Sequence, residues 1–206
     1  MDEKEIKKEI QSLGRVRELL REKLGEQESN EILSNCEGRI REAWLKYTDV
    51  SKEEAYHLKK IIPIACSYLA IKEKHPELAM DITLQNHKEK ADKAAKALQK
   101  VVRLPGMKKL FIKVWNPMTR KMFGEAAGFQ NKFYQNKKNE YRMDVLQCPY
   151  CRTFTELGAP ELAQYSCESD DIVYGNLPGI EFIRTQTLAK GGDKCDFYLR
   201  LKQEGR

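Results

Sequence analysis

Apolar residues recur at helical spacing through the first two thirds of the chain. Ile6, Ile10, Leu13, Leu20 and Leu24 keep a three-and-four spacing with Lys, Glu and Arg between them, which predicts one amphipathic helix. A second follows, with Leu33, Cys36, Ile40 and Trp44 on its buried stripe, where Cys36 reads as a small hydrophobe. Ser51 followed by Glu54 forms a capping box, hydroxyl and carboxylate satisfying free amides of the first turn, so a third helix is expected from Lys52. Pro63 removes one helical bond inside the apolar run Ile61 to Cys66, which predicts a kinked and buried central helix. Pro76 suits the first turn of a fourth helix, and the alanine-rich stretch Ala91 to Val102 reads as helix up to Pro105-Gly106. Leu110, Phe111, Val114 and Trp115 make another apolar face, in a helix that Asn116-Pro117 is expected to break or bend.

After Gly128 the period changes. Lys132 to Gln147 alternates in part, as a strand does, and Ile180 to Leu188 reads as another. The clearest strand is Cys195 to Lys202, with Cys195, Phe197, Leu199 and Leu201 on one face and Asp196, Tyr198, Arg200 and Lys202 on the other. Lys190-Gly-Gly-Asp193 reads as a hairpin turn that pairs these last two strands antiparallel. Pro149 to Phe154, Glu161 to Tyr165 and Ser169 to Tyr174 read as short helices cut by Gly158, Pro160 and Pro178. The fold class is therefore α+β: a largely helical N-terminal two thirds packed on a small antiparallel sheet formed by the C-terminal third. A chain of 206 residues is long enough for one sizeable core and short for two. The expectation is a single integrated domain, 1–206, with a helical region at 1–128 and an α+β region at 129–206.

Composition adds bounds. With 41% hydrophobic and 33% charged residues the chain is rich enough in apolar groups to fold. No apolar run approaches the roughly 18 residues a membrane span needs. The start, Met1-Asp-Glu-Lys-Glu, carries both signs of charge, unlike a secretory signal, so the expectation is a cytoplasmic protein without a membrane partner. In that setting six cysteines read as free thiols, metal ligands or catalytic groups rather than a disulfide frame. The net charge of +6 is concentrated between Lys88 and Lys138, where only Glu89, Asp92 and Glu125 are acidic. That stretch lacks the aromatic interleaving and Gly-rich or Arg-rich motifs of nucleic-acid modules, which favours a solvated helical face over nucleic acid as a partner. Homo-oligomer formation stays open.

The chemistry concentrates in the last sixty residues. Proline directly after Cys148 places that cysteine at a helix N-cap, where amides and the positive end of the dipole stabilise a thiolate, so Cys148 is the stronger nucleophile candidate. Cys167 precedes Glu168, Ser169, Asp170 and Asp171, carboxylates that oppose a thiolate there. Cys195 points with the core face of its strand, as a pocket floor or as packing. Histidine is absent after His87, and the spacing selects none of His57, His75 and His87 for a Cys-His dyad. Proton transfer falls to Glu161, Asp170 or Asp196 if burial raises the pKa enough; each reads equally as a cap or ion-pair partner. Arg184, inside a strand, calls for a carboxylate partner such as Glu161 or Asp196, or for an anionic ligand. Cys148 and Cys151 followed by single cysteines at 167 and 195 make half a zinc motif, and no thioredoxin-like βαβ pattern surrounds the Cys-x-x-Cys. No metal or cofactor is expected.

These pieces form a pattern. Cys148 followed by Pro-Tyr, the turn Gly158-Ala-Pro160-Glu161-Leu, Cys167 three residues before Asp170, and Arg184-Thr185-Gln-Thr187 leading through Gly191 to Cys195-Asp196-Phe197 resemble the family of L-2-amino-thiazoline-4-carboxylic acid hydrolases over roughly residues 140 to 200. Cys151 stands where that family carries another residue type, which argues against a shared metal site. The resemblance implies hydrolytic opening of a C–N or C–S bond in a small, amino-acid-derived cyclic amidine bearing a carboxylate, to give a carbamoyl-cysteine product. It implies Cys148 as nucleophile, Asp170 or Glu161 handling protons, with Cys167, Cys195 and Asp196 in the same catalytic group. It also implies that Arg184, with Thr185 and Thr187, binds the substrate. A route without a covalent step, in which carboxylates activate water and the cysteines shape the pocket, stays open. So does a non-catalytic small-molecule binding or sensor protein of the same fold.

Overall fold

The computed structural model describes residues 3–135 and 137–202. Within them the architecture is α+β, with eight α-helices and one four-stranded antiparallel sheet built from the C-terminal part. The chain divides into two compact units, Met1–His87 with Arg152–Leu162, and Lys88–Cys151 with Ala163–Arg206. No helix among the described residues is long and apolar enough to cross a membrane.

The first unit holds α1 (Glu3–Ser12), α2 (Gly14–Leu24), α3 (Glu26–Leu45), α4 (Lys52–Lys74) and the start of α5 (Pro76–Val102). One helix was expected across residues 6 to 24; the chain instead breaks at Leu13, whose ψ of 14° leaves the helical range. Leu13 stays buried, so the apolar spacing runs through the break. Leu19, Leu20, Ile32, Ile40, Leu58, Ile61, Ile62 and Ile71 are almost fully buried, and α3 and α4 pack together along their length. Ser51 caps α4 as expected, its hydroxyl accepting from the Glu54 amide at 2.9 Å. The Glu54 carboxylate, expected to complete that box, meets Arg152 at 2.5 Å. Pro63 lies inside a continuous α4.

The second unit carries α6 (Met107–Met122), strands β1 (Gln130–Phe133) and β2 (Glu140–Gln147), α8 (Ala163–Tyr174), β3 (Ile180–Ile183) and β4 (Cys195–Leu201). Helix α7 (Pro149–Glu156) begins here and its last turns belong to the first unit. The strand order is β1-β2-β4-β3, antiparallel throughout. Phe111, Ile112 and Trp115 of α6 meet Tyr141, Met143, Val145, Phe197 and Leu199 from the inner face of the sheet. Asn116-Pro117 does not end α6. Pro117 and Lys113, whose carbonyl loses its partner, both lie on the exposed face, where water replaces the bond.

Three further expectations change. The single strand over 132–147 is a hairpin, β1 and β2, with the polar stretch between Phe133 and Glu140 as its connection. The short helices at 161–165 and 169–174 are one helix, α8, preceded by a 3-10 turn at Pro160–Leu162, because neither Gly nor Pro interrupts residues 163 to 174. The strand expected over 180–188 ends at Ile183, so Arg184 stands just beyond it. The strand ends there because the Asp196 carboxylate takes the Thr185 and Gln186 amides, at 2.8 and 2.9 Å, drawing the chain out of the ladder.

Candidate functional site

Antiparallel pairing brings the thiols of the second unit to one end of the sheet. Val145 of β2 is opposite Cys195, the first residue of β4, and Cys148 is the single residue between the end of β2 and the start of α7. Cys148 is thus at the N-cap, with Pro149 as the first helical residue, as its sequence position implied. Its sulfur meets the backbone amides of Cys151 and Tyr150 and hydrogen bonds the Cys151 thiol. That thiol contact, joined by burial, pushes Cys148 up, and it holds Cys151 down against burial, while the two amides act on Cys148 in the downward sense.

A second pair lies beside the first. Cys167 of α8 hydrogen bonds Cys195, which pushes Cys167 up and Cys195 down. The Cys195 sulfur also accepts from the Leu188 amide at 3.3 Å. Cys151 feels the charge of Cys167, and Cys195 that of Cys151, so the four sulfurs form one electrostatic neighbourhood. Among the described residues no group of His, Cys, Asp or Glu has the arrangement of a metal site.

Arg184 is the hub of this corner. Its side chain is only 6% exposed; Nη1 meets Asp170 at 3.2 Å, and Nη2 donates to Asp171 at 2.6 Å and to the Cys167 carbonyl at 2.8 Å. The carboxylate partners are thus Asp170 and Asp171 of α8, where the sequence suggested Glu161 or Asp196. Burial pushes Asp170 up to about 7, against the pull of Arg184. The Asp170 side chain keeps 42% of its surface, so water reaches it while protein crowds its other sides. Tyr174, one turn further along α8, is pushed up by burial and by Asp170, and stacks edge-on against Trp115, Phe182 and Phe197.

Asp196 faces the other way. Strand alternation sends it to the sheet face opposite Cys195, where it accepts from the Thr185 amide, the Thr185 hydroxyl at 2.6 Å and the Gln186 amide. Burial opposes these bonds, yet together they hold Asp196 below its ordinary value. The loop they organise also needs Gly192, where a Cβ would come within 2.7 Å of the Gln186 side chain and 2.9 Å of the Thr187 carbonyl. The Thr187 hydroxyl is buried without a hydrogen-bond partner. Glu161 lies in the first unit, bonded to Tyr68 at 2.5 Å and Lys72 at 2.8 Å. Partial burial works against it, but these partners hold Glu161 ionised below its ordinary value.

Within the second unit the structure therefore brings together Cys148, Cys167, Cys195, Asp170 and Arg184, with Asp196 on the sheet face opposite Cys195, whereas Glu161 belongs to the first unit. Sequence reasoning weighed Cys148 and Cys151 as a metal or redox pair and set both aside, and it passed over Asp171 as a partner of Arg184, and Asp144. Asp144 is buried on the outer sheet face, bonded at 2.7 Å to both Tyr134 and Lys194. Asp144 keeps the polar phase of β2 with Glu140 and Arg142, so the alternation gave no sign that it would be buried.

No curated protein and no solved structure matches the chain. The family profile described as L-2-amino-thiazoline-4-carboxylic acid hydrolase matches residues 55–199, extending well upstream of the cysteine motifs into the helices. With most of its length covered, this chain belongs to the L-2-amino-thiazoline-4-carboxylic acid hydrolase family.

Proposed function

We propose that the chain hydrolyses a small, amino-acid-derived cyclic amidine of the thiazoline type, with Cys195 as nucleophile, Cys167 as the thiol that hydrogen bonds it, and Asp170 as proton carrier. One observation supports this above the others: the Cys167–Cys195 pair shares a corner with Asp170 and Arg184. The sequence favoured Cys148, but the thiol contacts push Cys148 up and hold Cys195 down, and it is Cys195 that faces the Arg184 charge while its sulfur accepts from the Leu188 amide.

In this reading the Cys195 thiolate attacks the ring carbon between nitrogen and sulfur. The ring C–S bond breaks, and its sulfur takes the Asp170 proton. Water then adds to the same carbon; one of its protons goes to the former ring nitrogen, the other returns to Asp170, and Cys195 leaves as thiolate. The product carries a carbamoyl group and a free thiol. Arg184 already serves three acceptors, so a substrate carboxylate would take the place of Asp171, the more exposed of its two carboxylate partners at 54%. The Thr185 hydroxyl serves Asp196, and the buried Thr187 hydroxyl keeps an unused hydrogen bond beneath the loop.

The test is Cys195→Ala, Cys195→Ser and Cys148→Ser, assayed separately on 2-amino-thiazoline-4-carboxylate with mass-spectrometric trapping of enzyme adducts. The expected result is a loss of at least about 100-fold in turnover for both Cys195 variants, a smaller loss for Cys148→Ser, and a substrate adduct on Cys195 in the parent protein. Full turnover in Cys195→Ala contradicts the thiol route and leaves carboxylate-activated water. Binding of the ring without turnover in the parent protein contradicts catalysis itself.

A further inference from the structure

Each reactive-side thiol of the second unit has another thiol as its neighbour. Cys148 and Cys151 are three apart across the first turn of α7, the spacing at which helical side chains face one another. Cys167 and Cys195 come from different elements, α8 and β4, and hydrogen bond each other. Arg184 grips the Cys167 carbonyl, and the Leu188 amide grips the Cys195 sulfur, so both members of that pair are held in place. The remaining cysteines, Cys36 and Cys66, are buried in the first unit, and burial pushes both thiols up. Neither is held low as Cys151 and Cys195 are, so neither starts an exchange.

We propose that Cys148/Cys151 and Cys167/Cys195 are two reversible dithiol–disulfide couples, oxidised by exchange with a low-molecular-weight disulfide. In the second couple the Cys195 thiolate attacks one sulfur of the small disulfide, R–S–S–R, and releases one thiol, R–SH, after protonation. The Cys167 thiol, losing its proton, then attacks the Cys195 sulfur of the mixed disulfide and releases the second R–SH. Two protein thiols are oxidised and one small disulfide is reduced to two thiols. In the first couple Cys151 attacks and Cys148 resolves in the same way. The Cys167–Cys195 bond would tie α8 to β4 and consume the nucleophile, so oxidation switches off the hydrolysis. This last consequence rests on the function proposed above; the disulfides themselves do not.

The test incubates the full chain in mixtures of reduced and oxidised glutathione, quenches in acid, alkylates the remaining thiols, and maps the linked peptides by mass spectrometry. The expected map has two bonds, 148 to 151 and 167 to 195, with Cys36 and Cys66 alkylated after denaturation, and full reversal in excess reduced glutathione. Cys167→Ser should stop the second couple at a mixed disulfide on Cys195, while the first still closes. Crossed linkages, stable glutathione adducts on the parent protein, or oxidation of Cys36 and Cys66 at equal rate would overturn the proposal. Turnover in the same samples separates the two readings. Disulfides without any turnover in the reduced protein leave this proposal standing and remove only the hydrolase reading; turnover without disulfides does the reverse.

Discussion

Asp170 has the least ordinary protonation of the carboxylates at the thiol corner. Burial outweighs Arg184 and lifts it to about 7, so near neutrality it carries a proton it can give. Its acid form is full below that value and is lost as pH rises through it, whereas the thiolate fraction grows with pH. Turnover should therefore follow a bell, and Asp170→Asn should lower it about 100-fold and abolish the alkaline fall that Asp170 causes. A pH profile of the variant that keeps the same alkaline fall assigns the proton to another group. Alternation along the last strand made it legible in the sequence that Cys195 and Asp196 face opposite ways. The pairing of Cys167 with Cys195 was not legible, because it joins a helix to a strand distant in sequence and no local pattern encodes it. Likewise, Arg184 announced an acidic partner without saying which of the nearby carboxylates it was.

Helix α7 shows what an element contributes. Its start fixes Cys148 as N-cap, and its end is a Schellman turn: Gly158 at φ +83° lets the Ala159 amide reach the Phe154 carbonyl at 2.8 Å and its own amide reach Thr155 at 3.0 Å. Gly158→Ala places a Cβ in the left-handed region and should cost about 1 kcal/mol in chemical denaturation, since no neighbouring atom crowds the site and only backbone strain is added. An unchanged midpoint would mean that the turn relaxes freely. In the other unit of structure, the Tyr141 hydroxyl of β2 and Thr119 of α6 are 2.6 Å apart, both fully buried. Tyr141→Phe leaves Thr119 bonded to the Trp115 carbonyl at 2.8 Å, so the loss should be about 1 kcal/mol rather than that of an orphaned polar group. A loss several times larger would point to packing. Helices were readable from their apolar period because that period is set by burial alone. Their ends were not: Leu13 keeps its place in the period while its backbone leaves the helix, and Pro117 stays helical because its lost bond faces water.

At the scale of the molecule, stability and activity should respond to pH through different groups. Glu9 is 5% exposed, accepts from the Trp44 indole at 2.9 Å, and has its second oxygen buried without a partner. Burial raises it from 4.5 to about 7, against the pull of Trp44. Across that window the native state holds a proton the unfolded chain has released, so stability falls as pH rises from 4.5 to 7. Glu9→Gln should remove that part of the slope and gain most, relative to the parent, at pH 8 in urea unfolding; parallel slopes for the two proteins would contradict it. Fold class was legible because a change from helical to alternating period is a property of long stretches. The family relation was legible only in the cysteine motifs, although the match begins at residue 55, because helices conserve a pattern of burial rather than particular letters. Whether this chain opens a thiazoline-type ring by means of its own sulfur is read most directly from free thiol released from 2-amino-thiazoline-4-carboxylate, followed against ring loss. One thiol per ring consumed is expected from the parent protein, and almost none from Cys195→Ala. An intact ring with the parent protein, or equal release by both proteins, contradicts it.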